Sequence, residues 1–181
     1  MDRVAELVRR TAAGENVEYL HFWGHRPRKD GRVGSACLSQ WWPAAFVVDG
    51  ERFASAEHFM MVGKARLFGD EDAAAAILET DEPAVAKKLG RGVRGFDDEA
   101  WRAAAFDIVV RGNLAKFGQH ENLGKFLVGT GDVVLVEASP VDPVWGIGLA
   151  ADDQRAATPS TWRGTNLLGF ALMDVRDLLV S

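Results

Sequence analysis

Glu57 and Lys64 stand seven residues apart in a stretch that reads as one helix. That spacing is within about 20° of two full turns, so both side chains leave the same helical face, with Met60, Met61 and Phe68 between and after them. An apolar setting pushes a carboxylate and an amine toward neutrality. In that state the carboxyl can transfer a proton and the amine can act as a nucleophile. The two lie roughly 10 Å apart along the axis, too far for a direct ion pair and suited to flanking a small ligand. The same pair also fits a structural account, with Glu57 favoured by the helix N-terminus and Lys64 snorkelling to water.

Glu137 and Asp142 form a second pair, one at the end of an apolar strand and the other in the loop Ser139-Pro140-Val141-Asp142-Pro143-Val144-Trp145-Gly146-Ile147-Gly148. Carboxylates at a strand end beside a Trp-Gly-x-Gly loop suit ribose hydroxyls or an oxocarbenium-like centre. An Asp before Pro equally suits the satisfaction of turn amides. Arg91 and Arg94, in the cluster Gly90-Arg91-Gly92-Val93-Arg94-Gly95, can present guanidinium forks to a phosphate or stay solvated. Six tryptophans are present against one tyrosine. Their rings can stack a base or sugar, although Trp101 reads by default as core and Trp41-Trp42-Pro43 as hairpin packing.

Other chemistries are missing. No Walker A sequence and no G-x-G-x-x-G between strand and helix occurs. His21, His25, His58 and His120 lie on different elements without zinc-type spacing, and G-x-S-x-G is absent. The residues therefore point to no metal and offer none of the standard phosphate or dinucleotide cradles.

The elements that must position these groups follow from pattern. Val4, Leu7, Val8 and Thr11 with Gly14 predict an opening helix within residues 1–14, and Val17 to Trp23 alternates as a strand. Gly24 to Ala36, with Arg26, Arg28, Lys29 and Arg32, reads as a basic loop. Ala45 to Val48, Asp49-Gly50 and Glu51 to Ala54 predict a hairpin with a two-residue type I′ turn. Ser55 suits the N-cap of the Glu57–Lys64 helix, which runs to Phe68. Helices follow after Asp70, from Glu82 to Leu89, from Asp97 to about Phe117 and from Asn122 to Val128. The glycine cluster reads as a turn, Val133 to Ala138 as a strand, Ser139 to Gly164 as a long aperiodic loop, and Asn166 to Val180 as a helix capped by Thr165 or Asn166. The sum is α+β, a single mainly helical domain over 1–181 with a small β-sheet.

At 181 residues and 48% hydrophobic content, the chain can bury a core without disulfides. Its net charge of −5 makes the whole a poor attractant for polyanions and favours small substrates or exposed single-stranded bases over tight duplex binding. A lone cysteine, Cys37, and a charged N-terminus with no long apolar run point to the cytoplasm and away from a membrane.

Read in order, Phe22-Trp23, Leu38-Ser39-Gln40-Trp41-Trp42-Pro43, Asp49-Gly50, Ser55-Ala56-Glu57-His58-Phe59-Met60 and Lys64-Ala65 resemble the first half of the NADAR family, which includes YbiA-like N-glycosidases. Leu89-Gly90-Arg91, Trp101, Lys116-Phe117, Thr130-Gly131, Leu135-Val136-Glu137, Asp142, Trp145-Gly146-Ile147-Gly148 and Gly164-Thr165-Asn166-Leu167-Leu168-Gly169 continue the likeness, which spans about residues 18–178. The resemblance implies cleavage of the bond between a phosphorylated ribose and a base, without cofactor. The first-choice substrate it implies is ADP-ribose on guanine, in nucleotides or in single-stranded DNA or RNA; phosphoribosylamino-pyrimidine intermediates of riboflavin synthesis come second. A non-catalytic ADP-ribose-binding module is the reading from another class. An ADP-ribosyltransferase toxin is implied as an opponent in function.

By matching position, Lys64 becomes the nucleophile, forming a ring-opened imine, and Glu57 the proton donor or acceptor. Met60 and Met61 would keep the amine partly neutral. Glu137 and Asp142 would orient ribose hydroxyls or stabilise positive charge. Trp101 and Trp145, with Phe22 or Trp23, would wall the ribose and base, and Arg91, Gly146 and Asn166 join them on the substrate. The chain departs from the commoner pattern at Gln40, Trp42 and Ala45, where the family more often has Asn, Tyr and Pro; these positions bear on base specificity more than on chemistry.

Overall fold

The computed structural model describes residues 2–181, which fall into two compact units. One comprises the residues up to Ser39 together with Lys125–Ser181, the other Gln40–Gly124, and the boundary falls within helix α6 (Glu121–Val128).

The first unit holds α1 (Arg3–Ala12), β1 (Tyr19–Phe22), β4 (Val134–Glu137) and α7 (Leu167–Val180). Asp2 starts α1 by accepting from the amides of Val4 and Ala5. β1 and β4 pair in parallel, from Tyr19 opposite Val134 to Phe22 opposite Glu137. α7 packs on β4. Leu168, Ala171, Leu172 and Val175 recur at i, i+3, i+4 and i+7 and are all buried, as are Val134, Leu135 and Val136. Each fully buried Leu or Val here contributes about 1.5–3 kcal/mol. Gly169 lets α7 approach the strand, because a Cβ there would lie 2.1 Å from the Leu135 carbonyl oxygen.

The second unit centres on α2 (Ala56–Leu67), which packs against α3 (Glu71–Leu78), α4 (Pro83–Arg91) and α5 (Asp98–Gln119). Ahead of it the β2 (Phe46–Val48) and β3 (Glu51–Phe53) hairpin turns at Asp49 and Gly50, with φ of 53° and 81°, which is the type I′ geometry their residue types predict. Phe46, Phe53 and Phe59 pack ring against ring beneath it, with centroids 4.9–6.0 Å apart. Asp70 caps α3 and is clasped by Arg94, whose backbone amide donates at 2.8 Å and Nη2 at 2.5 Å.

The mainly helical α+β fold expected from the pattern is the one observed, and several local readings need correction. Gly90 and Arg91 belong to α4 and not to a turn, since Met61 lies over Gly90 so closely that a Cβ there would sit 2.1 Å from its sulfur. Arg94 is not an open phosphate fork, because it is paired to Asp70 and Asp72. Ser55 starts α2 without bonding its amides; its hydroxyl pairs with His58 Nδ1 at 2.8 Å. The loop from Ser139 to Gly164 is pinned: Ile147 N–H donates to the Glu137 carbonyl, and the amides of Thr165, Asn166, Leu167 and Leu168 donate to the carbonyls of Pro143, Gly146, Val144 and Trp145. Trp41 also faces Lys87 of α4, its ring centroid 5.8 Å from the ammonium.

Candidate active site

Lys64, in the last turn of α2, faces the end of α4, the start of α5 and the residues between them. Its Nζ donates to the Gly90 carbonyl at 2.8 Å and lies 4.3 Å from the centre of the Phe96 ring and 5.7 Å from that of Trp101. Half-burial, and then the positive charge of Arg91, push its pKa below the ordinary lysine range. The carbonyl and the ring faces favour the ammonium, while burial and Arg91 disfavour it more. The amine is therefore easier to deprotonate than a surface lysine, and it is already directed by one acceptor. The aromatic part of its surroundings is Phe96 and Trp101. Trp101 is half-exposed and stands beside the amine instead of in the core. Arg91, in the last turn of α4, is exposed and has no ion pair among the described residues.

Two turns earlier on α2, Glu57 is 4% exposed. Its backbone amide donates to the Gln40 carbonyl at 3.0 Å, which ties the start of α2 to the Leu38–Pro43 motif. The Gln40 side chain is buried too; its Oε1 accepts from Asn113 Nδ2 at 2.7 Å, and the same Nδ2 reaches the Val109 carbonyl. Asn113 Oδ1 is buried with no hydrogen-bond partner among the described residues. Lys116, one turn on, is fully buried with its Nζ 4.8 Å from the Phe117 ring centre. Neither Asn113 nor Lys116 stood out in the sequence as chemistry-bearing, although both fall in the apolar stripe Ala105, Val109, Gly112, Phe117 on α5. A polar residue inside a buried stripe is the available signal.

In the first unit the structure groups Glu137, Asp142, Trp145, Gly146 and Asn166. Asn166 is 0% exposed and takes the left-handed conformation, φ 53°. Its Oδ1 accepts from the Glu137 amide and its Nδ2 donates to the Leu135 carbonyl, both at 2.9 Å. Asn166 therefore fixes the end of β4 and so Glu137. Both ends of its amide are engaged inside the protein. Asp142 Oδ1 accepts from the amides of Val144 and Trp145 at 3.0 and 2.8 Å, shaping the loop that presents the half-exposed Trp145. Gly146 is obligatory there, since a Cβ would meet the Glu137 and Asp142 carbonyl oxygens at 2.8 and 3.0 Å. Phe22, paired with Glu137 across the strands, is 3% exposed, whereas Trp23 after it is 60% exposed.

An open cleft of about 720 Å³ runs along the other side of α2, over Phe53, Phe59, Val62 and Ile108. Its cations are paired, Arg66 to Glu51 and Arg111 to Asp49, and none of the candidate residues lines it. Among the described residues no group of three His, Cys, Asp or Glu is placed to hold a metal. No helix among them is long and apolar enough to cross a membrane.

The helical order, the α2 lysine between two aromatic faces and the pinned Trp-Gly-x-Gly loop define a class. Residues 21–180 match the NADAR domain, and the chain belongs to the NADAR family. It is 42% identical to N-glycosidase R617 of Acanthamoeba polyphaga mimivirus, over 90% of this chain and 97% of that protein. N-glycosidase YbiA of Escherichia coli K12 is 30% identical over 76% of each chain. The NMR structure of the E. coli protein YbiA matches with a TM-score of 0.70 at 25% identity, covering 90% of this chain and 85% of that one.

Proposed function

We propose that this chain hydrolyses the N-glycosidic bond joining ADP-ribose to guanine, in nucleotides or in single-stranded nucleic acid. The coarse activity is that of an N-glycosidase, a hydrolase of N-glycosyl compounds. The observation that carries the reading is Lys64, an amine with a lowered pKa held by one carbonyl against two flat rings. Such a group suits attack on a sugar carbon that bears a planar base.

On this reading neutral Lys64 attacks the anomeric carbon. The bond to the base nitrogen breaks, and the base leaves with the electron pair and a proton supplied by Glu57. The ribose ring opens as the lysine nitrogen forms an imine. Water then adds to the imine carbon and expels the amine, which releases the sugar and restores Lys64.

The test is base release from three substrates: ADP-ribosylated guanosine, an ADP-ribosylated single-stranded oligonucleotide and a phosphoribosylamino-pyrimidine. Release of guanine-containing product from the first two, abolished by Lys64→Ala and by Glu57→Gln, is the expected result. Turnover of the third alone overturns the guanine reading, and binding without turnover of any of them makes the chain a binding module.

A further inference from the structure

We infer that the segment from Trp23 to Arg32 is a docking surface for single-stranded nucleic acid, its cations meeting phosphates and Trp23 stacking an unpaired base. The inference rests on the guanine reading above and names the form in which the base is presented. All ten residues from 23 to 32 are exposed, in one unbroken run. They carry four cations against one carboxylate, a net +3, so the remainder of a chain of net charge −5 carries −8. The segment thus carries a net charge opposite in sign to that of the remainder taken together.

Only one of those cations is engaged at home. Arg28 pairs with Asp30 through Nε at 3.2 Å and Nη2 at 3.0 Å, while Asp30 also accepts from the Arg32 amide at 3.1 Å. These bonds shape the loop around Gly31, whose φ is +71°. Arg26, Lys29 and Arg32 have no ion pair among the described residues. Three exposed cations in seven residues, without carboxylates to neutralise them, are the electrostatic requirement for a phosphate backbone. Trp23 supplies the second requirement. It is the one tryptophan with an exposed side chain, and an indole face beside cations is how unpaired bases are held without sequence preference.

Trp23 directly follows Phe22, which pairs with Glu137 in the parallel ladder, so the basic segment begins one residue beyond that rung. A single strand is favoured over a duplex, because it needs only a few phosphate contacts, while a long duplex would also run past surface of net charge −8.

The experiment follows a fluorescent single-stranded oligonucleotide of about a dozen nucleotides by anisotropy between 50 and 200 mM salt. Three single-strand phosphate contacts give a log–log salt slope of roughly −2, an affinity loss of about 20-fold over that range. The triple variant Arg26→Ala/Lys29→Ala/Arg32→Ala is expected to bind weakly with a slope near zero. Arg26→Lys/Arg32→Lys should keep the slope, and Trp23→Ala should weaken binding by at least about fivefold. On ADP-ribosylated guanosine the triple variant should turn over as the parent does, losing kcat/KM only on the modified oligonucleotide. An unchanged slope in the triple variant, or tighter binding of a duplex of the same sequence, overturns the inference with turnover intact. No turnover of either guanine substrate by the parent overturns the guanine reading instead.

Discussion

Replacing Asn166 by alanine removes two hydrogen bonds and leaves the Leu135 carbonyl and the Glu137 amide without partners at the end of β4. Asn166 is fully buried, and each orphaned backbone group costs about 1–3 kcal/mol. Its φ of 53° adds a second cost, because asparagine visits the left-handed region readily and alanine gives up about 1–2 kcal/mol there. Together these amount to about 3–8 kcal/mol, a large share of the roughly 5–15 kcal/mol that holds an ordinary domain. At about 2–4 °C per kcal/mol, a loss near 4 kcal/mol lowers the melting temperature by about 8–16 °C. Asn166→Gly keeps the backbone freedom and loses the bonds, so it should recover about 1–2 kcal/mol relative to alanine. Urea unfolding followed by circular dichroism, with thermal melts of the same proteins, measures both differences. An alanine variant within about 1 kcal/mol of the parent, or a glycine variant no better than alanine, refutes the role given to this side chain.

Two further outcomes rest on charges. Arg91 lowers the pKa of Lys64, so Arg91→Ala should move the limb of kcat/KM that requires neutral lysine to higher pH, while Arg91→Lys leaves it near the parent position. Arg94, through its side chain and its amide, holds the Asp70 carboxyl well below the usual aspartate range. The unfolded chain therefore binds the proton first, so the stability from this clasp is present above about pH 4 and is lost as pH falls further toward the folded-state value. Asp70→Asn should flatten the acid side of the stability profile, as read by urea midpoints between pH 7 and 3.

Much of this fold is local and therefore legible. Asp49-Gly50 fixes its turn through two positive φ angles, and Asp70 and Asp97 mark helix starts because their carboxylates accept the first orphan amides. The pairing of β1 with β4 is not legible in the same way. It joins Tyr19 to Val134, and nothing in either short strand states its partner. The candidate site divides along the same line. Glu57 and Lys64 announce themselves by a shared helical face, whereas the burial and the Arg91 charge that lower the pKa of Lys64, and the Gly90 carbonyl, Phe96 and Trp101 around its amine, come from α4, α5 and the residues between them. Asn166 reads as a helix cap or a substrate contact, and only the approach of β4 reveals that its amide completes the edge of that strand. Lys116 looks like any solvated lysine until its place in the buried stripe of α5 is seen.

The central claim is that Lys64 is the nucleophile of an N-glycosidase, and trapping tests it most directly. Borohydride added during turnover of ADP-ribosylated guanosine reduces an imine to a stable secondary amine. The account predicts one sugar adduct per chain, mapped by mass spectrometry to Lys64 and absent from Lys64→Ala. Guanine release with no adduct on Lys64 contradicts it and assigns the reaction to direct attack by water.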